Sequence, residues 1–479
     1  MRAPTLLAIL LLAACGGPAA PTRRDDVGMS AAAPAPTQVM AAGPVQAEAA
    51  ITGLIPADLA MCFVEPGRPA TLRWSTAARV ADGGAPFVIR DYAGRQVDAG
   101  SAQVDAAGAV TIARTFARGW YEIEFPAARQ AFGVVALEAQ PGGRDPFFCM
   151  DSALSWLETD PARRDGLVRI LARCGIAMSR ERLGLGSINP SPGVYTWEHP
   201  QRRYDSLRAL YAAQGVPILE MLHGGGRHHE VVKDVWFPSD YPRLAESNLA
   251  QTAHWGAGWG GVEIENEPDL HGLPAEQYVG VVKAASWAHL QSGSAVPLVA
   301  GVFGGIPPGP YFDACAANGM LADCDAVSFH SYDRADSVEA MVARYRVWLA
   351  ASGREALPLW HSECGWPWVK GPDRAPAAQD ADSAVEIAFK GVESRVCGVA
   401  RYFPFVYVHY EEGPKCFGMM GRDGTPLRSM AAYAASVAVL SGARYAGDLQ
   451  GVDGPARLAR VFARDGDPQC VVALYAGAP

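Results

Sequence analysis

The chain has 479 residues, with 41 Lys and Arg against 50 Asp and Glu, a formal charge of −9. Hydrophobic residues make up 49% and charged residues 19%, which excludes disorder throughout and leaves ample material for a large core. No basic stripe supplies the phosphate-neutralising charge that a nucleic-acid partner requires, and the length fits about three domains, or fewer if one is an α/β barrel of ~250 residues.

At the N-terminus, Arg2 precedes an apolar run from Leu6 to Ala14. Spanning a bilayer takes ~20 apolar residues, so this run reads as a signal-peptide core. Leu12-Ala13-Ala14-Cys15-Gly16 resembles the lipobox of bacterial lipoproteins. That resemblance implies a lipoprotein signal over residues 1–15 in which Cys15 is lipidated and becomes the mature N-terminus, and an exported chain anchored by lipid at the bacterial cell envelope. Acyl chains contribute ~0.8 kcal/mol per buried CH₂. Residues 16–50, rich in Ala and Pro, read as a tether. Of the ten cysteines, nine remain beyond Cys15, an odd number that leaves at least one unpaired within the chain. Cys315 and Cys324 are a candidate disulfide pair, and no CxxC supports a zinc ribbon or a thioredoxin-like site.

Residues 51–140 show short alternating segments broken by Gly-containing turns, among them Ala70-Thr71-Leu72-Arg73-Trp74, Pro86-Phe87-Val88-Ile89-Arg90, Val110-Thr111-Ile112 and Gly119-Trp120-Tyr121-Glu122-Ile123-Glu124-Phe125. This spacing predicts a β-sandwich accessory domain that acts as a packing spacer. From residue 145 to 440 apolar strand-like runs alternate with helical stretches. Strands are expected at 146–150, 175–180, 216–222, 261–265, 296–302, 324–329, 357–360 and 400–403. Helices are expected at 161–174, 201–214 and 337–352, with a last one at 429–440. Eight such units describe an α/β fold of the (β/α)₈ TIM-barrel type, whose chemistry sits at the C-terminal ends of the strands. Residues 441–479 form a short C-terminal β segment, with strands at 458–462 and 471–475. Two strands alone do not make a stable sheet, so they pack on the barrel or join another element.

Two runs fall at the expected barrel mouth. Glu263-Ile264-Glu265-Asn266-Glu267-Pro268-Asp269 follows the fourth strand, and alternation places Glu263, Glu265 and Glu267 on one face. Their mutual repulsion is expected to raise at least one pKa. Leu359-Trp360-His361-Ser362-Glu363-Cys364-Gly365-Trp366 ends the seventh strand. Glu267 and Glu363 are 96 residues apart, or three βα units, so the two glutamates face each other across the mouth. An acetal needs a proton on its leaving oxygen and stabilisation of an oxocarbenium-like centre, and a carboxylate pair supplies both.

On these motifs the chain resembles clan A retaining glycoside hydrolases, nearest in flavour to family 39. The resemblance spans about residues 145–440. In that clan an Asn-Glu-Pro ends strand four and a glutamate ends strand seven. It therefore implies that Asn266 and Glu267 form the acid/base pair, and that Glu363 is the nucleophile. The stretch Arg180-Glu181-Arg182-Leu183 with Asn189-Pro190-Ser191-Pro192-Gly193-Val194-Tyr195-Thr196-Trp197 resembles the clan's second-strand region, so Arg180 matches the arginine that supports the nucleophile. His330 and Tyr332 match the polar pair after strand six. Asn266 is placed to hydrogen-bond a sugar 2-hydroxyl. Arg180 is expected to keep Glu363 ionised, and repulsion with partial burial to keep Glu267 protonated. The chain departs from the clan at Phe403-Pro404-Phe405, where relatives often carry Trp, and at Leu185, so the sugar does not carry over.

His223-Gly224-Gly225-Gly226-Arg227-His228-His229-Glu230 lacks the HExxH spacing of a metal site and the Lys-Ser/Thr of a phosphate loop. It reads as a mouth loop in which His223 reaches substrate. Trp366 and Trp236 are candidates for stacking on sugar. The expected protein cleaves β-glycosidic bonds in carbohydrate by a two-glutamate mechanism without metal or cofactor. Two rivals stand beside it: an inactive glycan-binding protein on the same fold, and a metal-dependent barrel hydrolase, which would want His-x-His after strand one where this chain has Asp151-Ser152.

Overall fold

A computed structural model describes residues 8–12, 53–76, 84–140, 143–225, 227–230, 238–451 and 458–475. Cys15, the 16–50 tether and Trp236 lie outside the described residues.

Eight parallel strands follow one another in sequence order: β1 (Met150–Asp151), β2 (Ser179–Gly184), β3 (Ile218–His223), β4 (Trp259–Ile264), β5 (Leu298–Phe303), β6 (Ala326–Ser331), β7 (Leu359–Cys364) and β8 (Arg401–Pro404). The sheet closes on itself, with Cys149 N donating to Tyr402 O and Tyr407 N to Asp151 O, both at 3.0 Å. The helices on the outside are Pro161–Arg173, Tyr204–Ala213, Tyr241–Trp255, Ala275–Ser292, Pro310–Ala317, Val338–Ala351, Ala377–Val396 and Arg428–Leu440, one after each strand. This is the (β/α)₈ barrel. The first of these helices shows why the local sequence folds this way. Asp160 accepts from the N–H groups of Ala162 and Arg163, Pro161 opens the helix, and Leu167, Val168, Ile170 and Leu171 are buried.

Some strand boundaries differ by four residues: β1 starts at Met150 rather than 146, β7 runs on to Cys364 rather than ending at 360, and β2 runs on to Gly184 rather than 180. β2 starts at Ser179 rather than 175, because Gly175, at φ 75°, turns the chain and Ile176 N still bonds back to Leu171 O of the helix.

Strand residues buried on both faces fill the barrel in tiers. Cys149, Met178, Leu219, Val299, Ala326, Trp360 and Phe403 form an apolar plug. One step along the same strands, Asp151, Arg180, Glu263 and Ser328 form a buried polar tier. The alternation of the strands therefore carries the interior from oil to ions over two residues.

The residues before the barrel form an eight-stranded sheet in the order Leu54–Pro56, Pro69–Thr76, Val110–Thr115, Gln96–Val104, Ala85–Asp91, Gly119–Phe125, Gln130–Ala136, Phe63–Val64. Gln96–Val104 pairs with Ala85–Asp91 through its first part and with Val110–Thr115 through Gln103 and Val104, so the sheet folds over one core. Leu72, Trp74, Phe87, Ile123, Phe125 and Phe132 lie in that core. Gln96–Val104 itself is mostly exposed and lacks the apolar alternation that marks the other strands.

This sheet packs against the barrel. Phe63, Trp120 and Val135 share a core with Leu167 and Leu171 of the first barrel helix. Trp120 Nε1 donates to Pro426 O at 3.1 Å, Gly133 N to Thr425 Oγ1 at 2.9 Å, and the Arg428 guanidinium lies 4.1 Å over the Trp120 ring. The sheet thus grips the loop that follows β8.

At the C-terminal end, the two strands lie at Leu458–Ala463 and Cys470–Tyr475 and pair antiparallel. Arg444–Asp448 adds one edge, and the backbone of Ala8–Leu12 pairs parallel with Cys470–Tyr475 on the other. Arg460 and Tyr475 bind Glu393 and Glu386 of the Ala377–Val396 helix and hold this sheet to the barrel flank.

The candidate disulfide is not formed. Cys315 and Cys324 are free thiols, with Cys315 buried on the inner face of Pro310–Ala317, and every cysteine among the described residues is likewise unpaired. Among the described residues no helix is long and apolar enough to cross a membrane.

Gly133 has no room for a side chain, because a Cβ there would lie 1.8 Å from the Pro426 carbonyl oxygen. Gly133→Ala is therefore expected to force the sheet from the barrel and cost about 1–3 kcal/mol, read as a lower urea midpoint. An unchanged midpoint would show that the two parts are not pressed together.

Candidate active site

β4 is regular only as far as Ile264. Glu265 and Glu267 then take left-handed φ values of 65° and 45°, so the expected common face for Glu263, Glu265 and Glu267 does not form. Each carboxylate instead finds its own donor. Glu263 stays in the barrel, 2.5 Å from Arg180 Nε and 2.8 Å from Ser328 Oγ. Glu265 accepts from Gly224 N at 3.1 Å and lies 3.3 Å from His223 Nδ1. Glu267 reaches His330 Nδ1 at 2.8 Å.

Backbone from β5 fixes Glu267. Its N–H donates to Val302 O at 3.0 Å, in a bulge where Gly301 and Val302 take φ of 92° and 48°. Asp269 accepts from Gly304 N and Gly305 N at 3.1 and 2.7 Å. A Cβ on Gly304 would come within 3.1 Å of Glu267 Oε1, so the carboxyl rests directly against bare backbone.

A second bulge delivers Glu363. Phe329 pairs with His361 and His330 with Glu363, which leaves Ser362 as an extra residue. Without it, period-2 alternation from the inward Trp360 would send Glu363 outward. Bulges at barrel rims re-aim side chains in this way. His361 consequently packs outward, fully buried, with Nδ1 3.0 Å from Ser394 Oγ.

Arg180, fully buried, holds the centre. Its guanidinium binds Glu263, Asp151 Oδ2 at 2.7 Å, Glu363 Oε2 at 2.7 Å and Asn266 Oδ1 at 3.2 Å. Arg182 adds bonds to Asp151 at 2.5 and 2.9 Å and to Glu363 Oε2 at 3.1 Å. Tyr332 OH donates to Glu363 Oε1. Burial pushes the Glu363 carboxyl up, but His330, Arg180, Arg182 and the Tyr332 hydrogen bond outweigh it, and the group sits well below the usual carboxylate range. Ligand atoms of Glu267, His330 and Glu363 all lie within 4.8 Å of one another. One carboxylate is thus locked as an anion beside a second whose strongest contact is a histidine.

The site opens into a cavity of about 690 Å³, lined among others by Trp156, Arg182, His223, Tyr332, Phe405 and Tyr410. A second cavity of about 710 Å³ lies at the opposite end of the barrel between Met178, Pro217 and Arg401, away from every one of these carboxylates. Barrel chemistry belongs to the C-terminal end.

Glu267, Glu363, Asn266, Arg180, His330 and Tyr332 come together, and His223 stands at the rim of the same cavity. Trp366 does not join them. Its Nε1 donates to Asp382 Oδ2 at 2.6 Å, and its ring is held between Arg334 at 4.8 Å and Lys390 at 5.4 Å. It is a packing residue behind the mouth, because β7 ends two residues earlier and the chain turns outward. His228 and His229 lie 2.9 Å from Asn189 Oδ1 and from Ser247 Oγ respectively.

Sequence reasoning missed Asp151, Arg182 and the aromatic wall. Arg182 was legible, since it lies two residues from Arg180 on one strand and so shares its face. Asp151 directly follows the apolar 146–150 run, a strand end. Trp156 lies in a four-residue helix and Tyr410 on a loop, and neither carries such a signal.

No protein-family model and no curated protein sequence matches the chain. In fold it is similar to a family 39 glycoside hydrolase from the gut symbiont Bacteroides cellulosilyticus WH2, at 16% identity over 86% of this chain and 88% of that one, with a TM-score of 0.68. It is also similar to a glucosidase from Croceicoccus marinus, at 15% identity over 69% of this chain and 76% of that one, with a TM-score of 0.51.

Arg182→Met removes one of the charges that hold Glu363 ionised. A carboxyl with a depressed folded pKa contributes stability that is complete above the free value of about 4.3. That contribution is lost as the pH falls through the lower folded value. The variant's Glu363 titrates higher, so its acid-unfolding curve is expected to shift to higher pH. Coincident acid curves for variant and wild type would show that Arg182 does not act on Glu363.

Proposed function

We propose that this protein is a retaining glycoside hydrolase, cleaving β-glycosidic bonds in oligo- or polysaccharides by double displacement. The observation that carries the reading is the pairing of Glu267 with Glu363, whose ligand atoms lie within 4.8 Å. Retaining pairs sit ~5–5.5 Å apart, while inverting pairs need ~6.5–9.5 Å for an intervening water.

The environments of the two glutamates support a division of roles. Glu363, held ionised by two guanidinium groups, attacks the anomeric carbon, and the glycosidic C–O bond breaks. Glu267 gives its proton to the departing oxygen. Water then enters, Glu267 takes its proton, and the oxygen displaces Glu363 from the sugar with net retention. Asn266 Oδ1 is fixed by Arg180, which orients its amide N–H₂ group toward a sugar hydroxyl.

Glu267, His330 and Glu363 could also be read as three metal ligands. The charge around them argues against it, since Glu363 Oε2 already takes two guanidinium groups at 2.7 and 3.1 Å, and a divalent cation would sit against both. Turnover is expected to be unchanged in excess chelator.

Two variants test the roles. Glu363→Ala should abolish turnover of every aryl glycoside, since no covalent route remains. Glu267→Gln should retain its first step on acidic-phenol leaving groups, which need little protonation, and then stall for lack of a base. Mass spectrometry of quenched Glu267→Gln protein should find the glycosyl adduct on Glu363. An adduct elsewhere, or equal losses for good and poor leaving groups, would overturn the assignment. For the cell-envelope anchor, Cys15→Ser is expected to release the protein from the membrane fraction. Wild-type protein that is already soluble with an unmodified N-terminus would end that proposal.

A further inference from the structure

Between β1 and the first barrel helix, Ala153 takes φ 48° and the chain makes a helix of only four residues, Leu154–Leu157. So short a helix has no stability of its own, because nucleation is unfavourable and one turn returns little. Two buried charges hold it. At its start Glu181, fully buried on β2, accepts from Leu154 N at 2.9 Å, Ser155 N at 2.9 Å and Ser155 Oγ at 2.7 Å. At its end Arg164, also buried, donates to Leu154 O at 3.1 Å and to Glu158 O at 2.6 Å. Arg202 adds a bond to Trp156 O at 3.2 Å. Burying an ion costs several kcal/mol unless its hydrogen bonds are met, and here one turn of backbone supplies part of them, beside Tyr211 OH donating to Glu181 at 2.6 Å and Arg164 donating to Arg202 O at 2.9 Å.

Leu154 and Ser155 are buried, whereas Trp156 is 38% exposed and faces the cavity. Its ring leans on Tyr410, 4.9 Å between centroids, and lies 5.5 Å from the Arg182 guanidinium that also touches Glu363. Its indole N–H has no protein partner among the described residues. A partly exposed aromatic ring is thus held in the wall of the cavity that Glu267 and Glu363 also line, which fits a ligand with one apolar face and polar edges.

We infer that Trp156 is the stacking platform of a sugar subsite, taking a pyranose ring by its C–H face while the indole N–H donates to a ring hydroxyl. The assignment rests on the glycosidase reading and adds the class of ligand and the side of the pocket that holds it.

The test uses p-nitrophenyl β-D-glucoside, β-D-xyloside, β-D-galactoside and β-D-mannoside as probes. In turnover, Trp156→Ala should raise KM for the best of them about tenfold, with a smaller change in kcat and an unchanged thermal midpoint. Trp156→Phe, which keeps a ring but loses the N–H, should recover most of that loss. Calorimetric binding of the same glycosides to Glu363→Ala protein, with and without Trp156→Ala, separates the two readings. If wild-type protein turns over none of them but Trp156→Ala still weakens binding about tenfold, the subsite stands and the hydrolase reading falls. Equal binding with and without the indole, or no binding of any probe, overturns the subsite.

Discussion

The mouth of this barrel depends on one buried guanidinium. Arg180 bridges β1, β4 and β7 through Asp151, Glu263 and Glu363, with Asn266 completing the set. An unpaired buried charge is strongly destabilising, and each of these buried carboxylates is paired through the same guanidinium. The arginine therefore makes the acidic mouth compatible with a folded barrel, and it does so directionally. A planar fork with five donors fixes where each carboxylate points, so the same contacts that neutralise the site also orient it.

Around that centre the backbone departs from regularity in several places, and each departure re-aims a functional side chain. The extra residue at Ser362 turns Glu363 inward. The left-handed Glu265 and Glu267 split an acidic run into three separately partnered groups. The Gly301–Val302 bulge on β5 supplies the carbonyl that holds Glu267. Strained φ values persist only where surrounding contacts over-determine them, and here Asp269 and the bare backbone of Gly304 and Gly305 provide those contacts.

The sheet before the barrel belongs to the same physical unit. Its Gly133 and Trp120 press against residues 425–426, in the loop that also carries Tyr410 and Phe417 into the cavity wall. One wall of the pocket is thus braced from outside the barrel. Loops are the mobile part of such folds, and here a second core restrains one of them.

How much of this was legible in the sequence follows from what each signal depends on. The eight strands and their order were readable because buried parallel strands are short apolar runs and helices repeat at another period. The two glutamates and Arg180 were readable because they end such runs or sit on them. Gln96–Val104 was not, since an exposed strand has no apolar face to announce it. The common face expected for Glu263, Glu265 and Glu267 failed because alternation holds only while the strand is regular. Trp366 was misplaced for the same reason, as the chain had already left β7. The sequence by itself determined the barrel and which two glutamates could meet. Only the tertiary structure decided which way they face, what charges hold them and which aromatic stands beside them, because bulges, loop paths and the sharing of one guanidinium depend on neighbours far apart in the chain.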